Sequence, residues 1–139
     1  MRRDRGANAR ASARRFAPEA LRRLFDRPEV AAVYWFGSTA AASAHGLSDV
    51  DLAYLGTNGE AEDRVFDDLY EALQRELGEG GFDLVPLCRA PLHLQFAIAT
   101  EGRPLLVRDP IVAESFGARA IARYLDFKPC RDRYFATVA

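Results

Sequence analysis

Gly37-Ser38, a gap of ten residues, the pair Asp49-Val50-Asp51 and, further on, Asp83 are the residues whose types and spacing could do chemistry together. On a strand, residues two apart point to the same side, so Asp49 and Asp51 project from one face, roughly 7 Å apart along the chain. Two carboxylates at a strand's mouth suit a divalent cation, and Mg²⁺ in particular prefers one or two carboxylates completed by substrate phosphates. Asp83, at the start of another apolar run, adds a third acid if the two strands are neighbours. Three such groups repel one another unless a cation neutralises them. Gly37-Ser38 stands where a strand turns. A glycine lets the backbone approach a phosphate closely, and the following N–H groups and the Ser38 hydroxyl can donate to it. Each piece alone is ordinary, since Asp-x-Asp is common in turns and caps and Gly-Ser usually marks a turn. The conjunction is not ordinary, because acids opening hydrophobic strands are costly unless paired or metal-bound. A phosphate cradle beside an acid cluster is what nucleotide chemistry requires.

The elements that must carry these residues can be read from periodicity. Pro18 suits the first turn of a helix whose Leu21, Leu24 and Phe25 share a face and which should stop before Pro28. Residues 30–36 form a β-rich apolar run ending at Gly37, and residues 49–55 form a second strand closed by Gly56 and Asn58-Gly59. Between them, 39–44 could make a short helix before a His45-Gly46 turn. From 60 to 77, Val65, Phe66, Leu69, Leu73 and Leu77 recur at helical spacing, with Gly78 as the stop. A third strand spans 82–87, where Pro86 hints at a sheet edge or strand end. Residues 91–101 read as helix, 104–107 as a short strand, and 110 to about 126 as a last helix. Alternating strands and helices give an α/β (α+β) class.

The chain has 139 residues, enough for one domain, and its 49% hydrophobic content can fill one core. The expected division is a disordered basic arm over 1–15 and a single domain over 16–139. The net charge of −1 hides an asymmetry: residues 1–27 hold nine Arg against three acids, while the remainder carries a net −7. Such an arm can bind nucleic acid or an acidic partner, although a solvated tail is the simpler reading. The uncharged stretch 30–48 is broken by Gly, Ser and His, so no membrane-spanning helix is expected. The Arg-rich start lacks the apolar segment of a secretory signal. Two cysteines are too few for a disulfide framework, which points to a reducing cytoplasm, with one bridge left open.

The segment Trp35-Phe-Gly-Ser-Thr-Ala-Ala-Ala-Ser-Ala-His-Gly-Leu-Ser-Asp-Val-Asp-Leu-Ala-Tyr-Leu55 resembles the minimal nucleotidyltransferase (MNT) family of the DNA polymerase β superfamily in residue type and spacing. Residues 82–91 and 101–107 are similar to its third-acid strand and the segment that follows. The resemblance covers about 18–109, and more weakly 123–127. It implies a DNA polymerase β-like nucleotidyltransferase fold, a small mixed sheet flanked by helices with its active site at the open edge. It also implies transfer of AMP from ATP to a hydroxyl. Many stand-alone members are antitoxins paired with a HEPN-domain ribonuclease toxin, and some adenylylate a toxin tyrosine. By the same resemblance, Gly37 and Ser38 would hold the triphosphate. Asp49, Asp51 and Asp83 would be the catalytic, metal-binding acids for two Mg²⁺ ions, with Asp83 also helping to activate the incoming hydroxyl.

The sequence departs from the family at one point. Where the family writes Gly-Ser-x-Ala-Arg-Gly, this chain has Ala41 and Ala42 in place of Arg and the second Gly, which implies weaker phosphate contacts. Relatives that modify small antibiotics carry a further helical domain. Only 32 residues follow Val107 here, which favours a protein acceptor over an aminoglycoside-type one. The readings therefore rank as adenylyltransferase antitoxin, antitoxin acting by binding alone, and nucleic-acid module. Among the other polar side chains, His45 reads as a solvated turn residue and His93 as a packed or half-exposed helix residue. Cys88 reads as a small buried thiol, and Tyr34, Trp35 and Phe36 read as core.

Overall fold

The computed structural model describes residues 18–36, 50–78 and 80–138, apart from the side chains of 130–132 and 134–138. The element order is α1 (Pro18–Phe25), β1 (Val30–Phe36), β2 (Val50–Gly56), α2 (Gly59–Leu77), β3 (Phe82–Pro86), a 3₁₀ turn (Leu87–Arg89), α3 (Leu92–Glu101), β4 (Arg103–Val107) and α4 (Pro110–Val138). The expected arm over 1–15, the short helix over 39–44, the His45-Gly46 turn, the Ala41-Ala42 departure and three site residues (Gly37, Ser38 and Asp49) lie outside the described residues.

The four strands form one sheet in the order β3-β2-β1-β4. β1 pairs antiparallel with both β2 and β4, whereas β2 and β3 are parallel, so the sheet is mixed. A parallel pair needs a crossover, and α2 supplies it. Helices cover both faces. α1 and α2 enclose one core with Leu21, Phe25, Val33, Leu52, Tyr54, Val65, Leu69, Leu73 and Leu84. α3 and α4 enclose the other with Ala31, Ala32, Ala53, Leu55, Leu87, Ile98, Phe116 and Ala120. Strands buried on both sides read as continuous apolar runs, which is why 30–33 carry no polar residue.

Local signals set the ends of α2. The Asn58 side chain caps it by accepting the Ala61 N–H at 2.8 Å, and Gly78 ends it at φ 84° with its N–H on the Gln74 carbonyl. Pro86 is the last residue of β3, an edge strand, where its missing N–H costs no ladder bond. The described part of the second strand is Val50–Gly56, and one expectation changes in extent: the last helix runs on to Val138 instead of stopping near 126. Pro129 lies inside that helix. A proline removes one main-chain bond, to the carbonyl four residues back. That residue is Leu125, which is exposed, so water can take the freed carbonyl.

Candidate functional site

The register of the sheet builds the site. Phe36, the last residue of β1, is paired with Asp51 on β2, and Asp51 is paired with Asp83 on β3. These three residues form one row across three strands, on the face that also carries Ala53 and Leu55 toward α3 and α4. In a parallel ladder, register partners point the same way on strands about 4.8 Å apart, so two carboxylates stand side by side at one sheet end. The Val50 N–H donates to the Gly81 carbonyl at 3.1 Å and ties the two strand mouths together. Asp51 is half-buried and Asp83 is exposed at the edge strand. The next row inward, Tyr34–Ala53–Val85, is packed against the α3/α4 core and forms an apolar floor.

The donor set fits a hard divalent cation, since both side chains offer only carboxylate oxygen and Asp83 is open to substrate oxygens. The structure thus brings Asp51 and Asp83 together. Gly37 and Ser38 follow Phe36 directly, and Asp49 precedes Val50, so the chain enters and leaves the undescribed segment at this same row. Among the described residues, no group of three metal-ligating side chains occurs.

Three sequence expectations are corrected by position. Cys88 is exposed, in the 3₁₀ turn just past a strand that is at the sheet edge among the described residues. His93 is exposed near the start of α3, and the buried polar residue of that helix is Gln95, whose amide donates to the Leu87 carbonyl at 2.8 Å. Tyr34, Trp35 and Phe36 are half-buried and line the margins of the two cores.

Sequence reasoning missed Glu62. It lies in the first turn of α2, where an acid normally faces water beside the helix N-terminus, but it is fully buried. Its Oε2 accepts the Gly56 N–H at 3.0 Å, its Oε1 accepts the Cys88 N–H at 2.9 Å, and its main-chain carbonyl accepts the Tyr54 hydroxyl at 2.6 Å. The signal was present, since Glu62 precedes Val65 by three positions and therefore shares the inward face. Desolvation raises its pKa, and the two backbone N–H groups and the Cys88 thiol partly offset that rise. Although Cys88 is exposed, partial desolvation of its thiol, then the hydrogen bond and the charge of Glu62, push the thiol up to about 12. The group therefore stays neutral until strongly alkaline pH. With Cys130→Ser making it the sole thiol, Cys88 should react with iodoacetamide at pH 8 at least about tenfold more slowly in the folded than in the urea-unfolded chain. Equal rates would show that Glu62 does not hold the thiol.

Among the described residues, no helix is long and apolar enough to cross a membrane. No curated protein matches the chain. Solved structures do. A toxin–antitoxin complex with AMP-PNP is 24% identical at TM-score 0.66, covering 88% of this chain and 98% of its own. A mutant of the MntA-HpeT toxin–antitoxin is 26% identical at TM-score 0.63, covering 86% and 92%. A complex of tri-AMPylated Shewanella oneidensis HEPN toxin with MNT antitoxin is 22% identical at TM-score 0.57, covering 94% and 98%. Likeness at this level of identity supports the four-stranded mixed sheet and its flanking helices as a shared fold. The sequence family described as polymerase beta, nucleotidyltransferase matches residues 19–111, which include both the β2–β3 carboxylate pair and the Gly-Ser segment. The chain belongs to that family.

Proposed function

We propose that this chain is an adenylyltransferase antitoxin that moves AMP from ATP to a hydroxyl, a tyrosine, of a HEPN-domain toxin in the cytoplasm. The observation that carries the reading is the Phe36–Asp51–Asp83 row, which sets two acids side by side where the Gly37-Ser38 segment leaves the sheet. The fold neighbours support it, because they include an antitoxin complex with an ATP analogue and one with an AMPylated toxin.

In this reading Gly37 and Ser38 hold the triphosphate through main-chain N–H groups and the hydroxyl. Asp49, Asp51 and Asp83 would hold two Mg²⁺ ions, which supply charge neutralisation for the attacking and leaving oxygens. The acceptor oxygen attacks the α-phosphorus in line, the bond to the bridging oxygen of the β-phosphate breaks, and pyrophosphate leaves. Asp83, exposed on the edge strand, is placed to orient the incoming hydroxyl and draw off its proton at a carboxylate oxygen. Asp51, half-buried in the central strand, fixes the geometry. The rest of the protein contributes positioning, which is where phosphoryl-transfer enzymes obtain most of their rate.

The experiment is intact-mass spectrometry of a HEPN-type partner incubated with this chain, ATP and Mg²⁺. The expected result is one or more AMP increments with the native chain and none with Asp83→Asn. Silencing of the partner without added mass would favour an antitoxin acting by binding alone, the reading that the Ala41-Ala42 departure favours. Modification of small hydroxylated compounds only would favour an aminoglycoside-type transferase.

A further inference from the structure

Glu62 lies at the opposite end of the sheet from the paired aspartates, and its two carboxylate oxygens are divided between two strands. Oε2 holds the N–H of Gly56, the last residue of β2, and Oε1 holds the N–H of Cys88, just past the end of β3. Gly56 lies five positions beyond Asp51, and Cys88 lies five positions beyond Asp83. The carboxylate therefore bridges the far ends of the parallel pair in which Asp51 and Asp83 are register partners.

We propose that Glu62 is a positioning residue whose carboxylate, by holding the Gly56 and Cys88 N–H groups at once, locks β2 and β3 in the register that sets Asp51 beside Asp83. The requirement is physical. A parallel ladder can slip, and a slip of one residue turns each side chain to the other face. Here that would send one aspartate into the α1/α2 core side. Among the described residues β3 is an edge strand paired with β2 alone, so no second strand pairing corrects such a slip. Glu62 is itself immobilised, because the Tyr54 hydroxyl holds its carbonyl and full burial leaves its side chain no other rotamer space. Satisfying two backbone donors with one buried carboxylate also explains why an acid is kept where its desolvation is unfavourable. The influence reaches about 16 Å, five residues at strand rise, from clamp to aspartates.

The test is amide hydrogen exchange on the full chain, comparing the native protein with Glu62→Gln, which can accept only one of the two N–H groups, and with Glu62→Asp, which is too short to span both. Exchange at 51–53 and 83–85 should rise about tenfold while Leu105 and Leu106 on β4 keep their rates, the mark of one opened strand pair rather than a weaker whole. Faster exchange confined to Gly56 and Cys88, or an equal rise in all strands, would overturn the proposal. The catalytic consequence rests on the adenylyl-transfer reading and has its own measure. At a temperature where each variant is fully folded, kcat should fall about tenfold with the KM for ATP nearly unchanged, since a slip displaces Asp83 on the edge strand and leaves Asp51 and the Gly-Ser segment in place for ATP. A variant with native kcat per folded molecule would reduce Glu62 to a structural cap. A native chain that transfers nothing would sink the transfer reading, and the exchange data would still decide the clamp.

Discussion

Asp51→Asn and Asp83→Asn will each cut AMP transfer by about a thousandfold or more, the scale of losing one of the groups that stabilise charge in a transition state. Asn keeps the shape of Asp and one of its oxygens but removes the charge, so the loss reports electrostatics and not packing. Asp49→Asn should behave likewise. Because Asp83 is exposed on an edge strand, its replacement should shift stability by no more than about 0.5 kcal/mol. The effect must therefore appear in rate and not in the fraction folded. ATP binding, measured by calorimetry, should survive Asp83→Asn better than Asp51→Asn, since the central-strand acid is the one in line with Phe36 and the Gly-Ser segment that follows it. Transfer at the native rate by either variant with Mg²⁺ present would remove the acid pair from the mechanism.

Gly56→Ala has the largest expected effect on stability. A Cβ at Gly56 would lie 2.6 Å from the Glu62 Cβ and 2.7 Å from both its Cα and its backbone nitrogen. Two of those neighbours are main chain and the third is the Cβ fixed to it, in the first turn of a capped helix, and none can swing aside as the far end of a flexible side chain would. Either α2 moves off the sheet or β2 bends, and the Gly56 hydrogen bond to Glu62 is lost with it. The cost should be about 3 kcal/mol or more, the upper end of overpacking in a close-packed core, because a buried hydrogen bond is lost as well. Thermal unfolding would show this as a fall of about 10 °C. A native midpoint would mean that α2 and the end of β2 are less tightly apposed than this contact requires.

The two substitutions differ in how visible their causes were in the chain. The acids announced themselves, since Asp-x-Asp opening an apolar strand is an expense that local sequence does not otherwise explain. Gly56 was legible only as punctuation after a strand. Its real constraint is the backbone of a helix turn packed against it, which no window of neighbouring residues displays. Cys88 was misjudged for a related reason: a small apolar residue after an apolar strand reads as buried, but burial depends on what lies outside, and among the described residues β3 pairs with one strand. The last helix was stopped too early, near 126, whereas an exposed helix can carry a proline such as Pro129 when water serves the carbonyl it frees.

What the amino-acid sequence determined by itself was the described strands and helices and the residue types offered for the candidate site. Strand and helix periods, the Gly78 stop, and the Gly-Ser and Asp-x-Asp spacing are all short-range, and short-range patterns are written in consecutive residues. Only the tertiary structure decided that β3 lies parallel beside β2 rather than beside β1 or β4, that Asp83 falls in register with Asp51 rather than one residue off, and that Glu62 turns inward to hold both strands. Strand order and register arise from burying two faces at once and from satisfying every buried N–H, and both conditions couple residues far apart in the chain. A single aspartate can be read from its neighbours in sequence, but the side that it faces is set by the strand across from it.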